Sequence, residues 1–170
     1  MASIEQQLHN ACDWNGSYDK VKEIILANPN LDINFRPRRH HTALHNACYY
    51  GHADIVELLL YHFPNIDLNI ENLHGNTPLW LACAEGHPEV VKILINDHRV
   101  DINKPNYDNK TPTWRAARNG NLECIELLLA CNGINQKLDI QIDAKAKAYL
   151  NGRIKVGVLL DAFELNPIKE

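Results

Sequence analysis

Apolar residues return along this chain in short runs at a fixed interval: DIVELLL at 54–60, EVVKILI at 89–95 and ECIELLL at 123–129. Within a run the oily positions fall at helical spacing, as Ile55, Leu58 and Leu59 do, which predicts a helix with one apolar face. An acid stands near the start of each, Asp54, Glu89 and Glu123, where the helix dipole favours negative charge. A shorter segment precedes each run: TALHNACYYG, TPLWLACAEG and TPTWRAARNG. Thr42, Thr77 and Thr111 suit an N-cap, because a threonine oxygen accepts from a free amide of the first turn. Pro78 and Pro112 follow directly, where a missing N–H is harmless. Gly51, Gly86 and Gly120 stand where a left-handed residue closes a helix. The pattern predicts a short helix, a tight turn, a second helix and a loop, in series.

The series is a repeat. Thr42 and Thr77 are 35 residues apart, Thr77 and Thr111 34. Asn34, Asn69, Asn103 and Asn135 each stand eight positions before Thr42, Thr77, Thr111 and Asp143. The first three asparagines lie in DIN or DLN loops that open on Asp32, Asp67 and Asp101, and asparagine suits turns because its side chain bonds nearby backbone. One helix pair of this size cannot bury its own apolar face, whereas stacked pairs shield one another. Ala47, Ala82 and Ala116 recur where neighbouring helices must approach closely.

TALHNAC…GHADIVELLL and TPLWLACAEGHPEVVKILI resemble the ankyrin repeat, whose signature is T-P-L-H-x-A-A-x-x-G-H. The resemblance implies an all-α fold: an α-solenoid of stacked helix-turn-helix repeats with hairpin-like loops. Residues 1–170 then form one ankyrin-repeat domain of about five repeats, near 1–34, 35–69, 70–103, 104–135 and 136–165. The first and last are degenerate caps. Leu8-His9-Asn10-Ala11-Cys12 matches Leu44–Cys48, but Leu8 to Leu26 spans 18 residues against 16 for Leu44 to Leu60. The first unit therefore reads as carrying a two-residue insertion around Asp13–Gly16, and it lacks a Thr-Pro start. In the last, Asp143, Ala148 and Gly152 take the Thr, Ala and Gly positions. Lys145, Lys147, Arg153 and Lys155 make it polar, as a terminal unit facing water must be. The resemblance also implies that the loops project as fingers, that inner helices and fingertips line a concave face, and that loop residues such as Asn69 and Asn103 can be hydroxylated. Their turn role explains them without that modification.

Composition narrows the picture. The chain has 170 residues and a net charge of −4, which suits one domain and gives no general push towards nucleic acid. No apolar run approaches the roughly 18–20 residues of a membrane span, and MASIEQQLHNA lacks a signal-peptide layout. Of five cysteines, Cys12, Cys48 and Cys83 share one repeat position, so they read as packing residues in a reduced, intracellular, cytoplasmic protein.

Candidate chemistry is sparse. His9-x-x-Cys12 and His45-x-x-Cys48 have the ligand types of half a zinc site, but Trp80 and Trp114 take the His position in two other copies, so the spacing is the repeat register. We expect no metal and no cofactor. No cysteine is marked as a nucleophile with a base and a cleft, Cys131 is the expected exposed thiol, and no phosphate-binding glycine loop occurs. No enzyme is expected. RPRRHH at 36–41 is the one basic cluster and reads as a solvated fingertip rather than a nucleic-acid site. The positions that packing does not dictate hold Arg38, Arg39, His41, Tyr49, Tyr50, His74, Glu85, Tyr107 and Arg118. By the resemblance these face the groove, with Trp14 nearby, and large aromatics and arginine make common recognition hot spots. Trp80 and Trp114 read as packing residues. The expectation is a monomeric protein–protein interaction module, binding no nucleic acid or membrane. The alternative is a targeting arm of a regulatory or host-directed effector whose activity lies elsewhere.

Overall fold

A computed structural model describes residues 2–37 and 40–131. Arg38, Arg39 and the expected fifth unit, with Asn135, Asp143, Lys145, Lys147, Ala148, Gly152, Arg153 and Lys155, lie outside the described residues. Within them are eight helices and no strand: α1 Ile4–Ala11, α2 Tyr18–Ala27, α3 Ala43–Tyr50, α4 Ala53–His62, α5 Pro78–Glu85, α6 Pro88–Ile95, α7 Pro112–Asn119 and α8 Leu122–Leu129. They pair as consecutive hairpins. The odd-numbered helices pack on one another in order, and so do the even-numbered ones. The main apolar core runs through the stack from Leu8 to Leu129. Ala47, Ala82 and Ala116 are wholly buried in it, as close helix approach requires.

The helix ends follow local chemistry. Thr42, Thr77 and Thr111 are N-caps whose side chains accept from the backbone amides of His45, Trp80 and Trp114. Gly51, Gly86 and Gly120 close α3, α5 and α7 in the left-handed conformation. At Gly51, with φ +80°, an added Cβ would also meet the His87 ring.

The first unit keeps the plan and slips its register. Leu8 matches Leu44, so Gln6 stands in the threonine position. Yet α1 starts earlier, because Ser3 accepts from the Gln6 amide and caps it. The turn after α1 is one residue longer than its counterpart, not two. Ser17 N–H bonds Ala11 O, while His52 N–H bonds Ala47 O. Ser17 and His52 are the matching N-caps of α2 and α4. Leu26, 61% exposed, is therefore the counterpart of exposed Tyr61 rather than of Leu60.

The loops also correct an expectation. Asp32, Asp67 and Asp101 make the local turns, each accepting from the amide two residues on at 2.9–3.0 Å. The asparagines reach across instead. Asn34 Oδ1 accepts from Asp67 N at 3.0 Å, and Asn69 Oδ1 from Asp101 N at 2.7 Å. Asn69 Nδ2 donates to Arg99 O at 2.7 Å. One side chain too short to span a hairpin thus stitches adjacent loops.

The fingertips are hairpin turns without β-ladders. Asn72 N–H donates to Asn76 O, and Asn106 N–H to Lys110 O. Buried Asn72 and Asn106 hold the turns from inside, Oδ1 of each accepting two amides. Tyr107 N–H donates to His74 O at 3.1 Å and joins one tip to the next.

Candidate interaction surface

The α3–α5 seam is bridged by His45, which is fully buried. Thr42 N–H donates to its Nδ1 at 3.1 Å. That makes Nδ1 the acceptor and leaves Nε2–H to donate to Asn76 O, 3.1 Å away. Burial, with smaller repulsion from His41, depresses the His45 pKa to about 3. The α5–α7 seam uses Trp80 at the same position, and Trp80 Nε1–H donates to Lys110 O at 3.0 Å. Trp80 and Trp114 are both buried, as packing residues should be. The tryptophan also supplies the cross-repeat bond, which the sequence alone did not reveal.

A second bridge lies at the starts of the outer helices. His52 Nε2 donates to Asp13 O at 2.7 Å and His87 Nε2 to Tyr49 O at 2.9 Å. Asn121 Nδ2 makes the matching bond to Cys83 O at 2.8 Å. Seam positions are thereby committed to holding the stack.

The imidazole–thiol pairs are likewise engaged. Both ring nitrogens of His45 are in hydrogen bonds, and His9 Nε2 meets Asn46 Nδ2 at 3.2 Å. Burial lifts the Cys12 thiol to about 12 and that of Cys124 to about 11, and pushes Cys48 and Cys83 well above the ordinary range. These buried thiols are therefore poor thiolate nucleophiles. Cys131 is the one of the five that is not buried.

What remains forms a surface along the ends of the inner helices and the fingertips. Tyr49 and Tyr50 close α3 with their rings edge to face, 4.9 Å between centroids. They are 37% and 38% exposed. Glu85, at the end of α5, acts on Tyr49: its charge, then burial, raises the phenol pKa. Arg118, exposed near the end of α7, has its guanidinium 5.5 Å from the Trp114 ring centre, and Lys110 Nζ lies 4.8 Å from the same ring.

Exposed His74 and Tyr107 sit on consecutive fingertips. Tyr107 donates its hydroxyl to Glu71 at 3.2 Å, and Lys104 pairs with Glu71 at 3.0 Å. Arg36, His40, Glu71, Lys104 and Tyr107 edge a surface recess of about 360 Å³ there. His41 sits deeper at its finger base. It stacks on His45, 5.4 Å between ring centres, and its Nε2 meets Asn72 Nδ2 at 3.0 Å. Trp14 is exposed in the first turn.

Arg115 was missed by sequence reasoning. Its guanidinium lies over the Trp80 ring, 5.1 Å from the centroid. Its position varies from Asn46 to Leu81 to Arg115 across the repeats, and that variation was the available signal.

No described helix is long and apolar enough to cross a membrane. No curated protein matches the chain. The family model described as ankyrin repeats (3 copies) matches residues 8–106 and 65–141. That span covers the described hairpins from Leu8 onward, so stacking, caps and family agree: this chain belongs to the ankyrin-repeat family.

Proposed function

We propose that the chain grips another protein along the inner-helix ends and fingertips, as a monomer, with residues 1–170 acting as one ankyrin-repeat domain. Ankyrin repeats are generally protein–protein interaction modules, typically non-catalytic, and stacked repeats present extended concave surfaces. The contact set is Arg38, Arg39, His41, Tyr49, Tyr50, His74, Glu85, Tyr107 and Arg118. The observation that carries this reading is the division of labour in the repeat. His45, Trp80, His52 and His87 are spent on cross-repeat bonds, while Tyr49 and Tyr50 remain over a third exposed beside Glu85. A rigid, preformed surface limits the ordering cost of association. Five free cysteines, four of them buried, suit a partner in the reducing cell interior.

The double substitution Tyr49→Ala, Tyr50→Ala tests it. A tagged chain and the variant are expressed in native cells and the co-purifying proteins quantified by mass spectrometry. The leading partner should fall about ten-fold or more, with the melting temperature little changed. Unchanged recovery would remove these tyrosines from the contact surface.

A further inference from the structure

The α5–α7 seam carries an arginine with a buried Nε–H, unpartnered among the described residues. The Arg115 guanidinium lies over Trp80, and its buried Nε has no hydrogen-bond partner among the described residues. It joins no ion pair there either. Beneath it, Trp80 groups with Leu81 and Ala84 in an apolar patch separate from the main core. A buried donor without an acceptor is rare, and leaving one unsatisfied costs about 1–3 kcal/mol. A guanidinium resting on an indole has its flat face occupied and its in-plane N–H fork available. Burial and the neighbouring Arg118 charge both disfavour the cation, while Glu85 at the end of α5 favours it. An anion arriving at the outer Nη atoms would offset the charge penalty.

We propose that Arg115 anchors a carboxylate of the partner, an aspartate or glutamate in an acidic protein segment laid across α5 and α7, with Arg118 as the second cation. This rests on the groove reading above and names the chemistry of its occupant. The two oxygens of a carboxylate match the arginine fork in one plane, and a low-dielectric floor strengthens such a pair. A nucleic-acid backbone fits poorly. Glu85, at the end of α5, would oppose a continuous run of phosphates, whereas a single carboxylate can seat on Arg115 and Arg118.

A phage-displayed library of random dodecapeptides is panned on the full 170-residue chain at physiological salt. The recovered peptides should be enriched in Asp and Glu. The leading peptide should lose at least ten-fold in affinity on Arg115→Gln and several-fold on Arg115→Lys, which keeps the charge and loses the fork. Replacing its acids by amides should produce the same loss on the unaltered chain, a readout independent of how any variant folds. Peptides without an acidic excess, or unaffected by their own acid-to-amide change, overturn the proposal. Peptides that lose binding on Tyr49→Ala with Tyr50→Ala but not on Arg115→Gln overturn it and leave the groove reading standing. A library yielding no binder overturns both.

Discussion

The α3–α5 and α5–α7 seams solve one packing problem with different side chains. In each, an inner-helix side chain adds a second hydrogen bond to the carbonyl just before the next threonine cap, Asn76 O in one case and Lys110 O in the other. His45 donates through Nε2 and Trp80 through Nε1. At these two seams the donor is an N–H of the right reach, not histidine as such. The choice changes everything around it. A histidine at the seam titrates and stacks on His41. A tryptophan does not titrate, and its face gathers Arg115. Next to the first seam the exposed surface offers two tyrosines, next to the second it offers guanidinium groups. A change of side chain at a structural position thus goes with a change in the chemistry of the surface beside it.

The comparison can be broken at the alanine both seams share. Ala82 is fully buried on α5, the helix that packs on both α3 and α7. Ala82→Trp should destabilise by about 3 kcal/mol through overpacking, seen as an early midpoint in urea unfolding. A midpoint unchanged from the native chain would remove Ala82 from a packed seam. A smaller change separates the seams. Trp80→Phe deletes only the α5–α7 donor and some ring volume, and should lose about 2 kcal/mol. Hydrogen exchange should then quicken in α7 and α8 more than in α1 and α2. A uniform increase along the chain would mean that the bond is not local to its seam.

Much of the fold was legible because its signals are local. A threonine, followed by proline in two of three copies, a glycine nine residues on and an acid opening the next helix fix caps that need no distant partner. Even the slipped start of α1 was written in Ser3-x-x-Gln6. The asparagine ladder was visible as spacing, but its use was not, since Asn69 bonds Asp101 across a gap that only stacking closes. Leu26 misled because an apolar residue at a helix end reads as core until the turn length is known. Arg115 was hidden for a similar reason. Its burial depends on Trp80, 35 residues earlier, and no single-repeat pattern contains both. Tyr49 and Tyr50 stand at positions that packing leaves free and are partly exposed, a signal that names candidates without ranking them.

At the α3–α5 and α5–α7 seams a neutral, buried N–H donor ties one repeat to the next. For His45 the sign is fixed. Its folded pKa, about 3, lies below the unfolded value of about 6.5. Its contribution is complete above that unfolded value and is lost as pH falls towards the folded one, because the unfolded chain takes the proton first. The direct measurement is the urea unfolding free energy of the native chain and of His45→Gln, each at pH 7 and pH 5. The native chain should lose about 2 kcal/mol between the two, and the glutamine variant less than half of that. Equal losses in both would contradict the account.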